Sequence, residues 1–252
     1  MLKFCLICFT GLLLLSPCCF ADAKPNATKN PQPSTNHWLV MAGIGAGDYY
    51  DGTKGSRYSL STTEIDSLEQ KSQQHSLYFL FSAAYLFHIA SPWFSGLSLG
   101  PVVYYQPGQF KGEVYQFELP NLNNFKYTYR VKPINVYLEA NLFFAPLFHQ
   151  HVKPFILIGG GTSFARLNYE EHTTPSSPPT GTLSSRSTWD KHSAYEYGAG
   201  LLAHFNKHWF ATLRYVHQQV GHVGVRGQSL QHAINVNLNN NSGYITVGYG
   251  FY

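Results

Sequence analysis

The stretch AYEYGAGLLAHFNKHWFATLRYVHQ, residues 194–218, alternates along most of its length between apolar side chains and polar or small ones. In its first half every odd-numbered residue from Tyr195 to Phe205 is apolar, whereas Glu196 and His204 belong to the even-numbered set. A period of two residues is typical of a β-strand with one apolar face. Because the polar NKH separates two such runs, the stretch predicts a β-hairpin with a tight turn.

The same alternating unit of about ten residues recurs along the chain and predicts an antiparallel sheet. No stretch beyond the amino-terminal segment resembles the ~20-residue apolar run that a membrane-spanning helix needs. The eight predicted strands are residues 38–47, 75–88, 93–106, 135–144, 154–167, 194–205, 208–218 and 242–252.

Long and short connections between these strands alternate strictly. The connections after strands one, three, five and seven are long and polar, and those after strands two, four and six are short. This asymmetry is typical of a bacterial outer-membrane barrel, which has short periplasmic turns and long extracellular loops. The sequence therefore predicts an all-β fold: an eight-stranded antiparallel transmembrane up-and-down β-barrel with both termini in the periplasm.

The amino-acid composition favours the same class of protein. Charged residues make up 12% and aromatic residues 16% of the 252-residue chain, whereas an average soluble domain has roughly 25% charged residues. The mean hydropathy of -0.17 is too low for a helical membrane protein. A barrel with an apolar outside and a polar lumen lies between these extremes. The net charge of +4 is not gathered into a basic run, so we expect no nucleic-acid partner.

The amino terminus has the pattern of a secretory signal peptide. Lys3 precedes an apolar run, and the A-x-A motif at 21–23 predicts cleavage after Ala23. Residues 1–23 are therefore the predicted signal peptide, 24–36 a polar periplasmic lead-in, and 37–252 the barrel. All 4 cysteines lie within the predicted signal peptide, so the exported chain uses neither disulfides nor thiolate chemistry.

Four charged residues are predicted to form a polar cluster in the lumen. Glu139, Arg166, Glu196 and Arg214 are assigned to the inward faces of their strands. Opposite charges in a confined lumen should pair, so the two glutamates are expected to bridge to the two arginines. A purely structural plug and a gate on a conductive path are the two interpretations of this cluster.

The last strand is predicted to close the barrel by pairing with the first one, which removes the edges of the sheet. It contains Tyr244, Val247, Tyr249, Phe251 and Tyr252. Val247, Tyr249 and Phe251 share the more apolar face, and Tyr252 falls on the other. The sequence leaves open which of these two faces contacts lipid.

Three stretches resemble the small outer-membrane β-barrel superfamily of opacity-type and outer-membrane-protein-A-like surface proteins. They are KPFILIGGGTSFARL (153–167), AYEYGAGLLAHFNKHWFATLRYVH (194–217) and GYITVGYGFY (243–252). The resemblance implies the barrel fold and no particular activity. It also implies partners: outer-membrane lipid and lipopolysaccharide, and the barrel-assembly machinery, which engages a terminal aromatic strand.

The four long loops favour a non-enzymatic surface protein that binds a host, surface or envelope ligand. One alternative is a narrow pore or a channel for small hydrophobic solutes. A second is a lipid A-modifying enzyme, because lipid A 3-O-deacylases resemble this chain and carry His-x-Ser-Asn on a late strand. Here His217 is followed by Gln218, Gln219 and Val220, so the serine nucleophile is missing and no catalytic residue is predicted.

The 12 histidines suggest a metal site at first sight. His149 and His151 form one pair, and His217, His222 and His232 share one loop region. Loop histidines without acidic or cysteine neighbours are more often ordinary polar surface. We therefore predict no metal site and no cofactor.

Overall fold

The structure is a computed structural model. It describes residues 36–50, 57–59, 65–74, 76–118, 125–146, 152–173, 184–186, 189–225 and 234–251. The predicted signal peptide and nearly all of the lead-in lie outside these residues, and none of the described residues forms a helix long and apolar enough to cross a membrane. The strands are β1 His37–Tyr49, β2 Arg57–Ser59, β3 Ile65–Gln74, β4 Tyr78–His88, β5 Phe94–Tyr105, β6 Gly108–Tyr115, β7 Phe125–Phe144, β8 Val152–Thr173, β9 Ser184–Arg186, β10 Asp190–His204, β11 Trp209–Gln219, β12 His222–Val225, β13 Ile234–Asn237 and β14 Asn240–Phe251.

Eight of these strands close into a barrel in which every neighbouring pair is antiparallel. Their order around the barrel is β1, β4, β5, β7, β8, β10, β11 and β14. β14 then pairs with β1, from Trp38 opposite Phe251 to Tyr49 opposite Asn240. Closure pairs the backbone groups of both terminal strands, so the barrel has no open edge. The predicted eight-stranded barrel is confirmed.

The outside of the barrel is an apolar belt, because outward and inward residues alternate along each strand. On β14, Val247 and Phe251 point outward and are about half exposed, at 51% and 55%, whereas Tyr244 points inward and is buried. The more apolar face of the last strand is thus the outer one, and Tyr252 lies outside the described residues. Other exposed members of the belt are Trp38, Ile44, Phe79, Phe81, Leu99, Leu138, Ile156, Ile158, Leu201, Tyr215 and Ile245.

The connections differ at the two ends of the barrel. The short ones after β4, β7 and β10 lie at the end where β1 begins and β14 finishes, which we call the terminal end. The long ones lie at the opposite end, which we call the loop end. At the loop end, half of the barrel wall extends farther than the other half. On that half β3 leads into β4, β5 leads into β6, and β7 and β8 are 20 and 22 residues long.

This extension is one continuous sheet, which we call the tall wall (residues 65–74, 108–115, 125–133 and 166–173). Tyr105 of β5 faces Ile134, and Gly108 of β6 faces Val131, so β5 and β6 meet β7 in the same register. β3 pairs with β6, and the short β2 and β9 pair with β3 and β8. Apart from residues 166–167, which belong to a predicted strand, these segments were not expected to be strands, and that expectation is wrong. At about 3.3 Å per residue, the tall wall adds roughly 25–30 Å of strand to the barrel.

The inner face of the tall wall is mainly an apolar and aromatic core, although it also buries Asp66 and Glu171. This core explains why the chain keeps its strand structure outside the belt. Phe110, Val114 and Tyr129 are completely buried on this face. The hairpin of β12 and β13 packs against β8, and its Val223 and Val236 are also completely buried. Aromatic and β-branched residues on one face of a sheet stabilise it by cross-strand packing.

We expect Ile245→Arg to lower the free energy of unfolding in lipid vesicles by about 2–4 kcal/mol, because it places a charge in the apolar belt. Urea titration measures this change. The control is Thr173→Arg at the exposed end of the tall wall, where the register partner is Phe125 and carries no charge; it should change stability by no more than about 0.5 kcal/mol. Equal losses in both variants would contradict the assignment of the belt.

Candidate functional site

A buried ion pair occupies the middle of the lumen. Arg214 lies on the inward face of β11 and Glu139 on the inward face of β7, and their exposed fractions are 2% and 1%. Nη2 of Arg214 donates to Oε1 of Glu139 at 2.7 Å and to Oδ1 of Asn141 at 3.2 Å. The structure therefore brings together two of the four charged residues of the predicted lumen cluster.

Neighbouring side chains hold the Glu139 carboxylate in place. The hydroxyl of Tyr104 on β5 donates to Oε2 of Glu139 at 3.2 Å. Nδ2 of Asn141 donates to Oε1 of Glu139 at 2.9 Å and to Oγ of Ser98 at 3.1 Å. With these bonds the network links β5, β7 and β11 across the lumen.

Glu196 lies beside this network and depends on a glycine for its position. It is 2% exposed, and Nε2 of Gln218 donates to its Oε2 at 3.2 Å. Gly159 on β8 is the register partner of Glu139 on one side and of Glu196 on the other. A Cβ at Gly159 would lie 2.7 Å from Oε1 of Glu196, so a larger residue would displace the carboxylate. The carboxylate of Glu196 therefore packs closely against the backbone at Gly159.

Some polar atoms of the cluster have no hydrogen-bond partner among the described residues. These atoms are Nε and Nη1 of Arg214 and Oε1 of Glu196. The ring of Phe155 lies 5.8 Å from the guanidinium carbon of Arg214 and covers one side of it. A buried polar group without a partner costs free energy, so these atoms reduce the net stabilisation that the cluster provides.

A second polar layer, centred on Gln106, lies nearer the loop end. Nε2 of Gln106 donates to Gln218 and to the hydroxyl of Tyr244, and Asn135 donates to Oε1 of Gln106 at 2.6 Å. Tyr49 donates to the backbone carbonyl of the same residue. Sequence reasoning did not assign Gln106 to the lumen, although it is the last residue of the predicted strand 93–106 and shares the inward face of Tyr104.

One small cavity lies beside the lumen network. A cavity of about 20 Å³ near the terminal end is lined by Leu39, Leu86, Phe143 and Leu202, together with Lys153 and His204. It has roughly the space of one water molecule. At the loop end the lumen is followed by the apolar core of the tall wall. Side chains thus fill the described interior along most of its length, as expected for eight strands.

Arg166 does not join the lumen cluster, contrary to the prediction. Its neighbours Ala165 and Leu167 point inward and are completely buried, so Arg166 lies on the outward face of β8. It is half-buried there and stands opposite Lys132 of β7. A polar residue can point outward at this position, because β8 has already passed the apolar belt.

His217 also lies on the outward face, near the loop end of β11. Its Nδ1 is 2.7 Å from Oδ1 of Asn241, and its Nε2 is 3.4 Å from the hydroxyl of Tyr50. The ring stacks on Tyr50, with centroids 5.7 Å apart, and contacts Tyr197 at 4.6 Å. Both ring nitrogens are therefore occupied by an amide and a phenol.

No group of three or more potential metal ligands occurs in the described part of the chain. His149, His151 and His232, which the sequence offered as candidates, lie outside the described residues.

A closed eight-stranded barrel with an apolar belt and a lumen filled by side chains is a small outer-membrane β-barrel protein. The structure is similar to that of the outer membrane protein OprG from Pseudomonas aeruginosa, with a TM-score of 0.47, 11% identity and coverage of 86% of this chain and 96% of that one. It is also similar to Ail, the attachment invasion locus protein of Yersinia pestis, with a TM-score of 0.35, 12% identity and coverage of 86% and 100%. For the outer membrane protease OmpT from Escherichia coli the TM-score is 0.47 and the identity 9%, with coverage of 91% and 100%. No protein-family model and no curated protein matches the sequence.

We expect Glu139→Gln and Arg214→Met each to lower the free energy of unfolding in lipid vesicles by about 3–5 kcal/mol, because each leaves a buried partner uncompensated. The double variant should lose less than the sum of the two single losses, since it leaves no lone charge at this pair. Equilibrium unfolding of all four proteins measures the coupling.

Arg166→Gln is the matched control for this cycle. Because Arg166 lies outside the lumen, this variant should change stability by no more than about 0.5 kcal/mol. A loss as large as that of Arg214→Met would place Arg166 back in the cluster.

Proposed function

We propose that the protein is a surface protein of the outer membrane that presents the tall wall to the outside as a rigid interaction platform. The observation that carries this proposal is the continuation of four neighbouring wall strands beyond the apolar belt. A surface whose shape is already set before the partner arrives loses less conformational entropy on binding. A sheet that shares its strands with the barrel provides such a surface, which isolated flexible loops do not.

The outer face of the tall wall has the chemistry of a polar interaction surface. Nζ of Lys71 lies 2.8 Å from a carboxylate oxygen of Glu69 and 3.6 Å from one of Glu113. The hydrogen bonds from Lys71 and Tyr115 lower the pKa of the Glu69 carboxyl, so this surface stays charged in mildly acidic surroundings. Charged side chains of both signs favour a polar or charged ligand and binding that weakens with salt.

The proposal also assigns an orientation, in which the loop end faces outward and both termini face the periplasm. The short connections at the terminal end and the structured extensions at the loop end support this direction, because outer-membrane barrels have their longer loops outside.

The filled lumen supports display rather than transport. The Glu139–Arg214 pair and the Gln106 layer block the lumen at two levels, and the apolar core of the tall wall follows. The narrow pore is the second candidate, because water in a hydrated path could form hydrogen bonds with the unpartnered atoms of Arg214 and Glu196.

The proposed function does not include catalysis. The described partners of His217 are Asn241 and Tyr50, with no serine among them.

Cysteine labelling tests the display and its direction, since the predicted exported chain has no cysteine of its own. On intact cells a membrane-impermeant maleimide should label Lys126→Cys, which is on the outer face of the tall wall. The matched variant is Lys207→Cys in the short connection after β10, and we expect its labelling only after the outer membrane is permeabilised. The reverse pattern would overturn the orientation.

Conductance in planar bilayers tests the second candidate. We expect no stable single-channel steps from the wild-type protein, because side chains fill the lumen. Arg214→Ala removes the largest group of the plug and should raise the conductance. Stable steps in the wild type that change with Arg214→Ala would favour the pore over a closed display barrel.

A further inference from the structure

We propose that Lys132, Arg166 and Lys191 bind the phosphate of an anionic lipid headgroup on the outside of the barrel. These residues lie on three neighbouring strands, β7, β8 and β10, and together we call them the basic band. The inference rests on the membrane placement of the barrel. It does not depend on the display function or on the direction in which the loop end faces.

The basic band lies immediately beyond the loop-end margin of the apolar belt. Ile134 and Phe164 are register partners at the last apolar outward positions of β7 and β8. Lys132 and Arg166 occupy the next outward positions on the same two strands. Lys191 is the register partner of Phe164 on the other side, so it stands level with the end of the belt. This is the height at which headgroup phosphates meet a barrel wall.

The arrangement of these basic side chains favours a bound anion. Lys132 and Arg166 are direct register partners across β7 and β8. Side chains at such positions have Cβ atoms about 4.5–5.5 Å apart, and two like charges there destabilise the sheet. A phosphate bound by both side chains would turn this repulsion into two charge-assisted hydrogen bonds.

None of the acidic residues that the structure describes forms an ion pair with this band. Glu170 is the nearest acidic residue on the same face of β8, and its carboxylate is bound by Nη1 of Arg130 at 3.1 Å. Asp190 lies beside Lys191 in sequence but points to the inside, where it faces His192 at 3.9 Å. The positive charge of the band is therefore directed outward.

A lipid fits this site better than a soluble anion does, because the band continues directly into the apolar belt. Acyl chains of a lipid can lie along Phe164, Ile158 and Ile156, which are 36%, 65% and 46% exposed on one face of β8. The phosphate then lies at the level of the basic side chains, whose aliphatic stems extend toward the headgroups. A soluble phosphate would gain only the charged contacts.

The test is to count lipids that stay bound to the purified protein. The wild type and Lys132→Gln/Arg166→Gln are placed in phosphatidylcholine vesicles that contain a minor fraction of bisphosphorylated lipid A, then extracted and analysed by native mass spectrometry. We expect the double variant to retain about tenfold less lipid A, since each base near the membrane contributes to anionic-lipid binding. Monophosphorylated lipid A should be retained less by the wild type.

The matched control is Lys111→Gln/Lys126→Gln, which removes two positive charges from the outer face of the same sheet farther from the belt. Its lipid A retention should stay within about twofold of wild type, and heat-modified gel mobility shows that both variants are folded. Three outcomes would overturn the proposal: equal losses in both double variants, wild-type retention of phosphatidylcholine as strong as that of lipid A, or displacement of the lipid by an equal concentration of inorganic phosphate.

Discussion

The pairing of β1 with β14 is the interaction on which the rest of the structure depends. In lipid no water can satisfy the backbone groups of an open sheet edge, so the first and last strands have to meet. A barrel closed from eight strands has a narrow lumen, so only side chains that fit this space can point inward. A Cβ at Gly45 would lie 2.4 Å from the ring of Tyr244, so this glycine allows the tyrosine to point inward and reach Gln106.

The lumen network serves the register of the sheet more than its total stability. Removing two charges from water costs free energy, and this cost offsets much of their mutual attraction. An ion pair such as Glu139–Arg214 is therefore weak evidence of net stabilisation. The position of the pair, however, favours one strand register over another. A slip of one residue on β7 or β11 would turn one of these charges toward lipid. The pair thus disfavours closed barrels in which β7 or β11 is shifted by an odd number of residues.

The barrel strands could be predicted from the sequence because lipid imposes a simple rule on them. On β4 the outward residues Phe79, Phe81, Ala83, Tyr85 and Phe87 are all apolar or aromatic, and this pattern can be read without any knowledge of the partner strands. The tall wall could not be predicted in the same way. Its outer face is in water and carries Lys126 and Arg130, and its inner face is aromatic, so the segments resemble polar loops.

Arg166 shows a second reason why the candidate site was only partly predictable. On β8 both faces are apolar at residues 155–158, so their parity does not reveal which face is inward. A charged residue was then assigned to the lumen on the assumption that the whole strand crosses lipid. Polarity and alternation alone could find Glu139, Glu196 and Arg214. The same alternation also places Gln106, at the end of the predicted strand 93–106, on the inward face.

The shared strands of the tall wall and the barrel have a mechanical consequence. A partner that pulls on the wall directs the force along β7 and β8, nearly parallel to the strands. The hydrogen bonds between the strands are perpendicular to that direction, so many of them carry the load in shear at the same time. A tether built in this way transmits tension from its outer surface into the membrane without first unravelling a loop.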